Sequence, residues 1–193
     1  MKRICVFAGS SRGAREQYAL AAQQLARELV AQGYEVVYGG GKVGMMGVLA
    51  DAALGAGGKV IGVIPKALLA KEIAHGGLTE LRVVGSMHER KAMMAELSLG
   101  FIALPGGLGT MEEFFEVLTW AQLGLHAKPC GLLNVSGYFD SLLAFLDSTV
   151  SERFVKSEHR ALVITSTSPT ELLERLAAHR PLQVQKWIDR ASS

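Results

Sequence analysis

The stretch Phe101-Ile102-Ala103-Leu104-Pro105-Gly106-Gly107-Leu108-Gly109-Thr110-Met111-Glu112-Glu113 decides the fold. Its first four residues are apolar without a break, as in a strand buried on both faces. The Pro-Gly-Gly turn ends that strand. Apolar residues at helical spacing then run over 111–123. A strand that passes through a short glycine turn straight into a helix is half of a parallel βαβ unit.

The same alternation extends in both directions. Strands are expected over 3–8, 35–38, 59–64, 81–84, 100–104, 130–134 and 161–165. Helices are expected over 15–32, 45–56, 87–97, 111–123, 138–150 and 169–179. This order predicts a single doubly wound α/β domain, a parallel sheet with helices on both faces. The domain should span residues 1–180, with a loosely docked tail over 181–193. Three helix starts carry a Ser or Thr followed three residues later by Glu: Ser86 with Glu89, Thr110 with Glu113, and Ser168 with Glu171. Each pattern predicts a capping box, in which hydroxyl and carboxylate satisfy free N–H groups of the first turn.

Composition narrows the function classes. The 193 residues carry a net charge of +2, with acids and bases interspersed, which gives no support to nucleic-acid binding. Mean hydropathy is positive at +0.25. Yet the longest stretch free of Asp, Glu, Lys and Arg, residues 97–111, contains Pro105, Gly106 and Gly107, so no membrane span is expected. Cys5 and Cys130 lie in separate apolar strands and predict neither a disulfide nor a metal site. The five histidines show no metal-ligand spacing. The expectation is a cytoplasmic protein without metal or cofactor. Glycine is the outlier: 22 residues, all between Gly9 and Gly137. Their share is about 11%, against an ordinary level of about 7%.

In a doubly wound sheet the ligand sits at the carboxyl ends of the strands. The glycines gather in those loops. Gly9-Ser10 follows the first strand, and Gly39-Gly40-Gly41 follows the second. Gly39, Gly41 and Gly44 fit G-x-G-x-x-G, but the next strand ends without the acid that a dinucleotide's ribose requires. That loop is read either as accommodating a phosphate or as a tight turn with close packing. Gly106, Gly107, Gly109 and Thr110 precede a helix N-terminus, where amides and the dipole favour an anion. Arg90 and Lys91 sit near the start of another helix, the wrong end for cations unless an anionic ligand is close. Glu112 and Glu113 either serve the helix start or face a part of the ligand where positive charge develops.

Two motifs carry a resemblance. Residues Pro105 to Glu113 reproduce PGGxGTxxE, and Met87-His88-Glu89-Arg90-Lys91 reproduces MHxRK. With Val37-Tyr38-Gly39-Gly40-Gly41 and Thr119-Trp120-Ala121-Gln122, the chain resembles the LONELY GUY (LOG) family over most of its length. These are cytokinin riboside 5′-monophosphate phosphoribohydrolases, long mislabelled lysine decarboxylases. The resemblance implies a dimeric Rossmann-like fold. It also implies cleavage of the N-glycosidic bond of an N6-modified adenosine 5′-monophosphate, giving free base and ribose 5-phosphate. By position it implies Arg90 and Glu113 as the catalytic pair. It further implies Glu72, Lys91, Thr119 and the stretch Gly107, Leu108, Gly109, Thr110, Met111, Glu112 as nucleotide contacts. Gly106, Gly9, Ser10, Gly40 and Gly41 join these as candidate substrate-binding residues of the glycine loops. Two alternatives stay open on the residues alone. One is a nucleosidase for AMP or another purine monophosphate. The other is a non-catalytic nucleotide-binding module similar to molybdenum-cofactor carrier proteins.

Overall fold

The computed structural model describes residues 2–69 and 74–181. Seven strands form one sheet: β1 Lys2–Phe7, β2 Tyr34–Tyr38, β3 Val60–Pro65, β4 Glu80–Val84, β5 Gly100–Ala103, β6 Cys130–Leu133 and β7 Val163–Ser166. All six pairings are parallel, in the order β4-β3-β2-β1-β5-β6-β7. The helices are α1 Glu16–Ala31, α2 Gly44–Gly55, α3 Met87–Leu97, α4 Leu108–Gln122, α5 Asp140–Ser151, α6 Ser157–Arg160 and α7 Pro169–Ala177. The doubly wound single domain expected from the alternation is the one observed. The expected tail lies, after Pro181, outside the described residues, as does Glu72.

Strand periodicity divides the core in two. Ile4 and Val6 of β1 point to one face, where α1, α2 and α7 pack through Leu25, Leu49 and Leu172. Cys5 and Phe7 point to the other, where α3, α4 and α5 pack through Met94, Phe114 and Leu146. A strand apolar at every position is what two covered faces require. Winding reverses between β1 and β5, because β2 to β4 lie to one side and β6 and β7 to the other. This is the switch point, where loops at the strands' carboxyl ends part and leave a crevice.

At two of the three expected capping boxes the serine caps its helix. The Ser86 hydroxyl accepts the Glu89 N–H at 3.1 Å, and the Glu89 carboxylate takes the Gly85 N–H at 2.7 Å. At the second only the hydroxyl half forms: Ser168 accepts the Glu171 N–H at 3.4 Å, while the Glu171 carboxylate accepts from the Ser166 hydroxyl at 2.7 Å, and it is Ser166 that takes the Ser168 N–H. The third is corrected. Helix α4 starts at Leu108, three residues earlier than its apolar pattern, with Gly107 extended at the cap and no side-chain cap. Thr110 is therefore inside the first turn and 4% exposed. Glu113 is left for another task.

The periodicity also missed three short elements. These are α6 and two single turns of 3₁₀ helix, Lys66–Leu68 and Val135–Gly137. Elements of three or four residues are too short to show a period.

Candidate active site

Arg90 and Glu113 come from the two helices that follow β4 and β5. Both are buried, at 5% and 9% exposure, and Arg90 Nη2 stands 3.6 Å from Glu113 Oε1. The fork of Arg90 is further held by donation from Nη2 to the Gly39 carbonyl at 3.4 Å, and Nη1 reaches Met87 Sδ at 3.8 Å. Its Nε finds no hydrogen-bond partner among the described residues. A buried guanidinium with a spare donor, beside a buried carboxylate, is costly as a purely structural pair. Such pairs concentrate at sites of chemistry.

Both side chains line a cleft of about 270 Å³. Gly9 and Ser10 of the β1–α1 loop and Gly107, Leu108, Gly109 and Thr110 of the α4 start form its polar wall. Glu112 sits at its rim. Met46, Leu68 and Met87 supply an apolar wall. The cleft thus pairs an uncapped helix N-terminus, suited to an anion, with an acid–guanidinium pair and a surface for an apolar group.

Lys91, Met111, Thr119 and Gly106 do not line the cleft. Lys91 bridges Glu112 and Glu116, at 2.5 and 3.1 Å. Burial works against its ammonium, but hydrogen bonds to those carboxylates outweigh it and hold the group above its ordinary value. Met111 packs against the core beneath α4. Thr119 is exposed, two turns further along, and its hydroxyl donates to the Phe115 carbonyl at 2.7 Å. Gly106 lines a neighbouring pocket with Gly9 and Tyr138, and any side chain there would collide with the Thr110 hydroxyl.

Gly40 and Gly41 are tied to the β3–β4 connection. The Gly40 carbonyl takes the His75 N–H at 3.0 Å, and Gly41 pairs with Ala74. The His75 ring meets Asp51 Oδ1 at 2.8 Å and accepts the Gly77 N–H, which fixes this connection onto α2.

The G-x-G-x-x-G stretch serves close packing. A side chain at Gly39 would strike the Arg90 guanidinium, and one at Gly44 would strike the Ser10 backbone. Gly44 also has φ +64°, which favours glycine. The start of α2 is already occupied. The N–H groups of Met45 and Met46 both donate to the Gly9 carbonyl, at 3.0 and 3.3 Å. A carbonyl on these amides takes the place a phosphate would need. Of the two readings of this loop, close packing is the one the contacts support.

Met46, Leu68 and Ala8 also line the cleft and are not among the site residues expected from the sequence: Ala8 and Met46 fall inside an expected strand and helix, and Leu68 falls in the strand-end loop over 66–80 without a polar group to mark it. The described residues contain no group of three or more His, Cys, Asp or Glu placed to hold a metal. None of their helices is long and apolar enough to cross a membrane. Both thiols are buried, and burial pushes Cys130 up to about 12.

Known proteins share this arrangement at two levels. The molybdenum cofactor carrier protein of Chlamydomonas reinhardtii superposes with a TM-score of 0.69 over 92% of this chain and 99% of its own. At 22% identity that likeness speaks for the fold alone. In sequence, residues 46–176 match the family described as "Possible lysine decarboxylase". "Probable cytokinin riboside 5'-monophosphate phosphoribohydrolase LOGL6" of Oryza sativa subsp. japonica is 52% identical over 180 residues, 93% of this chain and 72% of that protein. "Cytokinin riboside 5'-monophosphate phosphoribohydrolase LOG5" of Arabidopsis thaliana is 50% identical over 181 residues, 94% of this chain and 79% of that protein. Identity at this level across nearly the whole chain, spanning both helices that carry Arg90 and Glu113, shows that the chain belongs to the LOG family.

Proposed function

We propose that this chain is a phosphoribohydrolase that cleaves the N-glycosidic bond of N6-modified adenosine 5′-monophosphates, releasing free base and ribose 5-phosphate. One observation carries the reading. The buried Arg90–Glu113 pair opens onto the same cleft as the uncapped N-terminus of α4. The names of the relatives support it.

The 5′-phosphate rests against the amides from Gly107 to Thr110, where the helix dipole adds to their hydrogen bonds. Breaking the bond at the anomeric carbon builds oxocarbenium character on the ribose. The Glu113 carboxylate either stabilises that cation or takes a proton from the attacking water. The water oxygen bonds to the anomeric carbon as the N-glycosidic bond breaks, the electron pair of that bond leaves with the base, and the proton given up by the water ends on the base. Arg90 faces Glu113 from 3.6 Å and borders the cleft, where its guanidinium is placed to meet the ribose phosphate or the departing base. Lys91 acts on the cleft through its ion pair with Glu112. The apolar wall of Met46, Leu68 and Met87 favours an apolar substituent at N6 over a bare amino group. A homodimer in the cytoplasm goes with this reading. Exposed Leu108, Leu123 and Leu125 around α4 offer surface for a second copy.

Chromatographic product analysis after incubation with a panel of nucleoside 5′-monophosphates tests the proposal. Base and ribose 5-phosphate should appear in equal amounts, faster from isopentenyl-AMP than from AMP. Nucleotide that binds but stays intact for hours would sink the reading in favour of a carrier role.

A further inference from the structure

The turn after β6 is built at a cost. Ser136 has φ 53° and ψ 34°, and Gly137 follows with φ 72°, so two successive residues are left-handed. A non-glycine residue in that region is strained, and such strain persists only where neighbours impose it. Here they do. The side-chain amide oxygen of buried Asn134 accepts the Phe139 N–H at 2.8 Å, and the amide nitrogen donates to Asp140 Oδ1 at 2.7 Å. Phe139 itself is sunk in the core.

The product of this construction is the placement of Tyr138. Its ring meets Tyr18 and Phe139 edge-on, at 5.6 and 5.0 Å between centroids. Its hydroxyl donates to the Gly106 carbonyl at 2.6 Å, across 32 residues of sequence. Tyr138 is 42% exposed, so water was open to it as a partner.

That carbonyl belongs to the peptide unit joining Gly106 to Gly107. The unit is trans, so its N–H points opposite to its C=O. Holding the oxygen toward Tyr138 turns the Gly107 N–H away from Tyr138. Gly107 lines the cleft of Arg90 and Glu113 and also a neighbouring pocket of about 260 Å³ that it shares with Tyr138; Tyr138 itself does not line the cleft. The Gly107 carbonyl is held by the Met111 N–H at 3.2 Å and Gly106 packs against Thr110 and Gly9, and the Tyr138 hydroxyl adds the side-chain hydrogen bond on this peptide's oxygen.

We propose that Tyr138 is a positioning residue for phosphate binding, its hydroxyl aiming the Gly107 N–H at the substrate's 5′-phosphate. This rests on the phosphoribohydrolase reading above. Tyr138→Phe keeps the ring contacts and removes only the donor. It should raise KM for the nucleotide about tenfold and leave kcat within about twofold, since one oriented hydrogen bond is at stake. Inhibition by ribose 5-phosphate should weaken by the same factor, while inhibition by free adenine and the melting temperature stay put. The proposal is overturned if ribose 5-phosphate inhibits the variant as well as it does the wild type. It is equally overturned if both inhibitors weaken together with a fall in melting temperature, which marks a merely structural role. A wild-type protein that neither releases base nor binds ribose 5-phosphate removes the function reading, and this one with it.

Discussion

Glu113 shows how a single residue changes meaning between sequence and structure. Read by spacing, it completes a capping box with Thr110. In the fold, α4 begins earlier, Thr110 is buried inside the turn, and Glu113 faces Arg90. Substitution separates the two meanings. Glu113→Gln should lower turnover by about 10²–10⁴ with the fold intact, because the amide can neither take a proton nor offset a cation. Near-normal base release from that variant would remove Glu113 from the chemistry. Arg90→Ala is a harsher change. It removes the guanidinium that stands 3.6 Å from a buried carboxylate, and breaking a buried ion pair typically costs about 3–5 kcal/mol. The double variant Arg90→Met with Glu113→Gln should regain much of that stability and none of the activity. Urea denaturation of the single and double variants measures the coupling. If the double variant is as unstable as Arg90→Ala, burial of the carboxylate is not the source of the loss.

Helix ends were partly legible. Ser86 and Ser168 cap their helices as the spacing predicts, because a cap involves only neighbours in sequence. The start of α4 was not legible, because Leu108, Gly109 and Thr110 read as loop. The end of α5 offers a test at this scale. Helices α1, α2 and α4 close with Gly33, Gly57 and Gly124 in left-handed conformation, whereas α5 closes with Arg153 at φ 65°. The closing hydrogen bond of α5, from the Phe154 N–H to the Thr149 carbonyl at 2.9 Å, matches those of α2 and α4, from Gly58 to Ala53 and from Leu125 to Trp120, both at 2.9 Å. Arg153→Gly should therefore relieve strain and stabilise by about 1 kcal/mol, after glycine's extra chain entropy is counted. That corresponds to a rise in melting temperature of about 2–4 °C. An unchanged or lower melting temperature would show that Arg153 has side-chain contacts worth more than the strain.

For the whole molecule, acid sensitivity should originate away from the cleft. His126 and His179 line a separate cavity of about 280 Å³ on the α4–β6 side. Burial lowers His126, the Lys128 charge adds to this, and the hydrogen bond to the Val117 carbonyl only partly opposes it; burial also lowers His179. The His126 ring is fixed in its neutral form, with Nε2 at 2.8 Å from the Val117 carbonyl and Nδ1 accepting the Lys128 N–H. A base depressed on folding contributes stability that is full above its unfolded value, near 6.5, and is lost as pH falls through the lower folded value. Urea midpoints should therefore drop between about pH 7 and pH 5. His126→Gln should be less stable at neutral pH but lose less on acidification; an equal loss in both proteins would clear His126. The sequence by itself determined the fold class, the order of elements and the two motifs that bear Arg90 and Glu113. Those rest on local periodicity and on spacing within one strand, turn and helix. Only the tertiary structure decided that the G-x-G-x-x-G glycines pack Arg90 and the Ser10 loop, that Met46 and Leu68 wall the cleft, and that Tyr138 braces Gly106. These are contacts between segments tens of residues apart, and they exist only once the sheet has brought its carboxyl-end loops together.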